Sequence, residues 1–451
     1  MPNLPDHQGI SQKSVTLGDS PNPQCAQPIR LRGGVDYLDS ATGELLHRYT
    51  TARESDGVLR VACKTRRASR CPPCAEIYRA DTYHLIRAGL TGGKGVPATV
   101  AAHPCVFLTL TAPSFAPVHA RTLRNGQVRA CRPRRDGGTC PHGRPVSCTE
   151  RHGTDDPRPG EPLCPGCYDY AGSVLFNACA PELWRRFTIT LRRTLARLAG
   201  KTQAAFSREA RVSFAKVAEY QRRGVVHFHA VIRIDGPDGP ATLPPGWATI
   251  DLLTAAIDAT AAAVIVTTPA ADGLPSRSLR WGRQHDIRPI VADGQLTDNA
   301  VAGYVAKYAT KAAECTGTLD RRINPADRLT DLPIRPHARQ LIATCLRLGK
   351  LAGLEDLRLT AWAHMLGFRG HFSTKSRAYS TTLGALRSAR AEHQRQHAIM
   401  TRRLPIHAED TVLVLTHWHY AGRGHASGES PSAATTSSRV PAFPAPSPGG
   451  S

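Results

Sequence analysis

Arg211-Val-Ser-Phe-Ala-Lys-Val-Ala-Glu-Tyr220, the polar turn Gln221-Arg-Arg-Gly224 and the apolar run Val225-Val-His-Phe-His-Ala-Val-Ile-Arg-Ile234 read together as two strands joined by a tight connection. Successive strand residues face opposite sides, so His227 and His229 point one way and Phe228 into the opposite layer. A turn centred near Arg223 sets Glu219 directly across from His227 on the same face, within reach of cross-strand contact. Two imidazoles and one carboxylate with open positions suit Mg²⁺ or Mn²⁺ beside a phosphate, and no neighbouring thiolate argues for zinc.

The chain carries its own control for this motif. His417-Trp-His419 has the same spacing, and Glu409 has the same upstream offset as Glu219. It lacks a strand leading into its Glu, a Gly-containing turn after it and any downstream tyrosine helix, so it reads as a late strand or surface segment. The first motif is followed by Leu296-Thr-Asp-Asn-Ala-Val-Ala-Gly-Tyr-Val-Ala-Lys-Tyr-Ala-Thr-Lys-Ala-Ala-Glu314, an Asp/Asn N-cap candidate leading into Ala-rich helix formers. A spacing of four puts Tyr304 and Tyr308 on one face and Lys307 and Lys311 on an adjoining stripe, placed to hold phosphates. A phenol with an ordinary pKa near 10 needs a metal-polarised phosphate and nearby cations to attack at neutral pH. The alternative is that the two tyrosines merely pack a helix onto a sheet.

Thirteen cysteines bunch mostly between Cys63 and Cys179, with C-x-x-C pairs at Cys71/Cys74 and Cys164/Cys167. Without a secretory signal this favours structural Zn²⁺ over disulfides. Cys140, Cys148, Cys164 and Cys167 are the expected ribbon-like ligands, with Cys131, His142 and His152 as further candidates. A second site would use Cys63, Cys71 and Cys74 with its fourth ligand open, His84 and Cys105 among the possibilities. Reduced, unliganded thiols are the competing reading. The Arg/Pro/Gly-rich loop from Arg121 to Pro162 needs metal to order, and its arginines then offer a DNA-contacting surface.

Phe107-Leu-Thr-Leu-Thr111, Val226-His-Phe-His-Ala230 and Gly303-Tyr-Val-Ala-Lys-Tyr-Ala-Thr-Lys311 resemble motifs one, two and three of HUH endonucleases, in the order of rolling-circle replication initiators. Relaxases, their permuted relatives, place the tyrosine ahead of the histidines. The nearest resemblance is to the RepSA-like initiators of actinobacterial plasmids and integrative conjugative elements, which share the Cys-rich stretch and the C-P-x-C-Y-D-Y ending at Tyr170. It runs from about residue 60 to about residue 400. The resemblance implies a ferredoxin-like HUH palm carrying a Cys-rich zinc-binding insertion. It also implies metal ligation by His227, His229 and Glu219, and attack by Tyr308 as a DNA nicking-closing endonuclease. Related single-tyrosine plasmid initiators carry Glu four residues before the nucleophile, where this chain has Tyr304, the pattern of the two-tyrosine initiators of small phages. One-tyrosine and two-tyrosine termination both stay open.

Composition fits a DNA partner: 58 Lys and Arg against 36 Asp and Glu leave +22 before histidine. Origin DNA, double- and single-stranded, with host helicase and polymerase, are the expected partners. The residues by themselves indicate an α+β protein. Its expected order is a strand at Val106–Thr111, the Cys-rich region, a helix at Pro181–Ala199, the hairpin, a helix at Leu252–Ala263, a strand near Asp286–Val291 and the tyrosine helix. Helices over Arg335–Ala352 and Leu354–Met400 follow, and the basic stretch Arg369–Arg377 is a candidate duplex contact or a solvated face. The expected divisions are a loosely ordered segment at 1–60, first strand and zinc region at 61–180, catalytic core at 181–320, helical accessory region at 321–421 and disordered tail at 422–451. No signal peptide opens the sequence, and the mildly apolar Leu252–Ala271, holding Asp258, suits a helix running into a strand better than a membrane span. A cytoplasmic protein is expected. The competing function class is a non-catalytic, zinc-dependent origin-binding or repressor protein; a relaxase or transposase of the same superfamily is a third.

Overall fold

A computed structural model describes residues 25–54, 56–290, 297–311, 313–400 and 412–425. In chain order its strands are β1 (Ile29–Asp39), β2 (Leu45–Thr50), β3 (Leu59–Val61), β4 (Cys105–Leu110), β5 (Thr122–Arg124), β6 (Gln127–Arg129), β7 (Arg211–Tyr220), β8 (Val226–Asp235), β9 (Ile265–Thr267), β10 (Ser278–Arg280), β11 (His285–Pro289), β12 (Ser373–Lys375) and β13 (Val412–Arg423). The helices are α1 (Pro72–Thr91), α2 (Tyr170–Leu198), α3 (Gln203–Glu209), α4 (Ile250–Ala263), α5 (Asp298–Ala309), α6 (Pro336–Leu348) and α7 (Leu383–Met400). The fold mixes helix and sheet, and among the described residues the named strands pair antiparallel. Two units are distinct: Thr82–Thr381, and Met1–Asp81 together with Thr382–Ser451.

The larger unit is built on a five-stranded sheet of order β11-β4-β8-β7-β12. The hairpin β7–β8 has the register its turn demands, pairing Glu219 with His227 and Val217 with His229. Its two faces separate cleanly. Phe228, Ala230, Ile232 and Ile234 of β8, with Val106, Leu108 and Leu110 of β4, join one core with Phe176, Leu183 and Phe187 of α2 and Leu253 and Ile257 of α4. The alternate residues, His227 and His229 among them, face the other side, where α5 lies against β7. Burial of that apolar face, at roughly 25 cal/mol per Å², is what fixes which side the histidines occupy.

Several expectations change. The helix expected from Pro181 begins at Tyr170, capped by Asp169, whose Oδ1 accepts the Gly172 N–H at 2.8 Å, and Pro181 lies inside it. Proline favours a helix's first turn, but the run Gly172–Ala180 is entirely buried, and that burial outweighs the roughly 3 kcal/mol a mid-helix proline costs. The single helix expected over Leu354–Met400 is instead two 3₁₀ turns (Glu355–Leu357, Ala363–Met365), strand β12 and α7. β12 falls within the basic stretch Arg369–Arg377 and pairs with β7 at the sheet edge. The Lys375 ammonium is turned onto the carbonyls of Ser376, Arg377 and Ser380. Leu252–Ala271 does contain a helix running into a strand, α4 and then β9, and among the described residues no helix is long and apolar enough to cross a membrane.

In the smaller unit, residues 1–60 contain two long strands where a loose lead-in was expected: β1 pairs with β2, β3 and β13. The second H-x-H motif is indeed a late strand, with His417 opposite Gly34 and His419 opposite Arg32, both exposed. Glu409, residues 1–24 and the tail from 426 lie outside the described residues.

Candidate active site

Glu219 on β7 and His227 and His229 on β8 converge because the hairpin register makes them neighbours on one face. Glu219 Oε2 lies 2.9 Å from His227 Nε2 and 3.1 Å from His229 Nε2, and the two Nε2 atoms are 3.2 Å apart. Neighbouring donors around a hard octahedral cation with bonds of about 2.1 Å lie about 3 Å apart, so this triad fits one face of such a site. Thr109 on β4 sits opposite His229 in the sheet, and its Oγ1 lies 3.0 Å from His229 Nδ1, fixing the ring with Nε2 aimed at Glu219. Phe107, two residues earlier, stacks on the same ring at 5.7 Å.

Electrostatics suit a ligand set. Burial alone would raise the Glu219 carboxyl, but hydrogen bonds from His227 and His229 outweigh it and hold the group at about 2. Burial pushes the His229 imidazole below its ordinary value, which favours the neutral form a metal requires.

Helix α5 carries both tyrosines to this face. Its N-cap is Thr297, whose Oγ1 accepts the Ala300 N–H at 3.3 Å, in place of the Asp/Asn expected there. Val301, Ala302, Val305, Ala306 and Ala309 are buried, which turns Tyr304 and Tyr308 toward the histidines. The Tyr304 hydroxyl lies 3.2 Å from His229 Nε2, and its ring is 4.6 Å from that of Tyr308. Burial, then the Glu219 carboxylate, raises the Tyr304 phenol far above its usual range. Tyr308 is stacked 6.0 Å from the His229 ring, with the ammonium groups of Lys307 and Lys311 at 5.6 and 5.0 Å from its centroid. The site thus brings together three donor groups that could hold a cation, a phenol at their edge and a second phenol with two ammonium groups near its ring.

The cysteines divide differently from the expected sets. Cys63, Cys71 and Cys74 meet Cys25, not His84 or Cys105. Cys25 Sγ lies 3.8 Å from Cys71 Sγ and 3.7 Å from Cys74 Sγ, and sulfurs around a tetrahedral ion with ~2.3 Å bonds lie about 3.8 Å apart. Cys105 is buried at the start of β4 in the main sheet, and burial pushes its thiol up to about 12. Cys140, Cys164 and Cys167 gather with His142, whereas Cys148 joins Cys131, His119 and His152. Cys148 is drawn away because its strand-like pairing with Arg132 sets it beside Cys131. Burial works against the Cys140 thiolate, but the N–H groups of Arg144 and His142 outweigh it and bring that thiol to about 6. Sequence reasoning missed Cys25, far upstream in a segment read as loose, and His119 and Asp156, which have no spacing signature.

This basic chain, with its hairpin, tyrosine helix and Cys/His groups, is matched to the class of replication initiators. It belongs to the RepSA family, described as replication initiator protein, pSAM2, which matches residues 21–438. A curated replication initiator protein of Streptomyces ambofaciens is 54% identical over 419 residues, covering 91% of this chain and 86% of the relative. No solved structure matches.

Proposed function

We propose that this chain binds the origin of a plasmid or integrative element in the cytoplasm and nicks one strand by tyrosine transesterification, starting rolling-circle replication. The observation that carries this is the convergence of Glu219, His227 and His229, with the Tyr304 hydroxyl 3.2 Å from His229 Nε2 and Tyr308 one turn further on. In this reading the five-stranded sheet is an HUH palm closed by α5.

Glu219, His227 and His229 would hold Mg²⁺ or Mn²⁺, which supplies Lewis-acid polarisation of the scissile phosphate when bound. Tyr308 is the nucleophile in this reading: the ammonium groups of Lys307 and Lys311, 5.6 and 5.0 Å from its ring centroid, would hold the phosphate beside it, while burial and Glu219 keep Tyr304 protonated. The Tyr308 oxygen attacks phosphorus and the bond to the 3′ oxygen breaks. That oxygen leaves with a proton as a free 3′-OH, and a 5′-phosphotyrosine remains. The 3′-OH primes host polymerase behind a host helicase. Zn²⁺ would be held by Cys25, Cys63, Cys71 and Cys74, and by Cys140, His142, Cys164 and Cys167, ordering segments whose exposed arginines meet DNA phosphates.

Incubating the purified full chain with origin-bearing single-stranded DNA and Mn²⁺ tests the reading. An SDS-resistant protein–DNA adduct that maps to α5 supports it. Origin binding with no adduct at any metal concentration makes the chain a non-catalytic origin-binding protein.

A further inference from the structure

His119, Cys131, Cys148 and His152 lie in a stretch with little regular structure, yet their ligand atoms all fall within 4.8 Å of one another. Cys148 Sγ is 3.7 Å from His152 Nε2, and Cys131 Sγ is 3.9 Å from His119 Nδ1. Around a tetrahedral zinc with bonds of ~2.3 Å to sulfur and ~2.0 Å to nitrogen, such atoms lie about 3.6 Å apart. A second observation points the same way. The far nitrogen of His152, Nδ1, lies 2.7 Å from Asp156 Oδ2, and Asp156 is itself gripped by Arg158. Metal-bound histidines are oriented in this manner by an outer carboxylate. His152 and Cys131 are buried, and the Ala120 N–H donates to Cys131 Sγ at 3.1 Å, as suits a thiolate.

This cluster is tied to the catalytic hairpin's turn. His119 exchanges backbone hydrogen bonds with the chain at Gly160 and Glu161. Gly160 packs so closely on Arg222 that a Cβ there would lie 2.5 Å from the Arg222 carbonyl oxygen. Glu161 accepts the His337 N–H at 3.1 Å, and His337 Nε2 lies 3.0 Å from the Arg223 carbonyl. We infer that His119, Cys131, Cys148 and His152 form a further zinc site of Cys₂His₂ type, oriented by Asp156, and that it braces the turn Gln221–Gly224 that delivers His227.

Cysteine-resolved alkylation of the full-length wild-type protein, with and without a strong zinc chelator, tests this without relying on any variant. Cys131 and Cys148 should be protected in the zinc-loaded protein and become at least tenfold more reactive after chelation. Equal reactivity in both states, or a Cys131–Cys148 disulfide, overturns the site whatever happens at Cys25 or Cys164. Asp156→Asn should still bind the metal but release it to a chelator with about 10- to 100-fold weaker affinity, the usual effect of losing an outer carboxylate. Amide exchange at Gln221 and Gly224 should rise about tenfold when His152→Ala removes the ion, and unchanged exchange in a zinc-depleted variant overturns the bracing.

Discussion

At the scale of single residues, the two phenols of α5 have different environments and should have different fates. Tyr304 touches His229 and is kept protonated by burial and Glu219, whereas the Tyr308 ring has two lysine ammonium groups 5.6 and 5.0 Å from its centroid. Tyr308→Phe should therefore abolish the covalent adduct. Tyr304→Phe should still form it but release few monomeric circles, if Tyr304 takes over the new 5′ end in a second attack. Peptide mapping of the DNA-linked residue in both variants checks this, and unchanged circle release in Tyr304→Phe would eliminate the alternating mechanism. Lys216, on the opposite face of the hairpin, gives a stability test. Its ammonium lies 4.3 Å from the Phe228 ring centroid and donates to the His371 carbonyl, and burial lowers it from 10.5 to about 7. The folded value is the lower one, so between about 7 and 10.5 the unfolded chain binds more protons and stability rises with pH. Lys216→Met should raise Tm at pH 6, with the gain shrinking toward pH 10, as thermal melts across that range will show.

At the scale of elements, the site depends on how α2 holds the hairpin turn. Asn177 is fully buried; its Nδ2 donates to the carbonyls of Gly224 and Leu366, each at 2.9 Å, and its Oδ1 accepts the Val226 N–H at 3.0 Å. Gly224 has φ +75°, and a Cβ there would lie 2.5 Å from Leu341 Cδ1, so the turn admits little else. Asn177→Ala would strand three buried backbone groups, among them the Val226 N–H next to His227. At about 1–3 kcal/mol for each unsatisfied group, with partial relaxation, the variant should lose about 3 kcal/mol in urea unfolding. The hairpin was legible because strand alternation and one turn fix its register locally. The start of α2 was not, because Pro181 carries a strong local signal while the burial of Gly172–Ala180 arises from partners far away in sequence. The ligand sets were half legible for the same reason. C-x-x-C spacing announces Cys71/Cys74 and Cys164/Cys167, but pairing with Cys25, and the exchange of Cys148 for His142, depend on how distant loops fold together.

At the scale of the whole molecule, the surplus of 22 positive charges predicts strongly salt-dependent DNA binding, but where the charge acts is a matter of placement. Composition announced the charge; it could not announce that β1 and β2 occupy a segment with little periodic signal, because β1, to which β2 pairs, has its other long partner, β13, almost 400 residues away. The two-stranded hairpin β5–β6 within the Cys/His-rich stretch holds Arg124 and Arg129, both exposed. If this stretch meets the phosphate backbone, each lost phosphate contact should lower the slope of log K against log salt by about 0.9 on duplex DNA. Arg124→Ala with Arg129→Ala should then weaken duplex binding at low salt and make the slope shallower by about 2, with no change in zinc content. Cleavage of a short single-stranded origin oligonucleotide at saturating concentration should be unaffected, because neither arginine belongs to the Glu219, His227, His229 and tyrosine constellation. Fluorescence anisotropy across a salt series, paired with the adduct assay, separates the two effects. An unchanged salt slope would mean that the duplex is held by another basic surface of the chain.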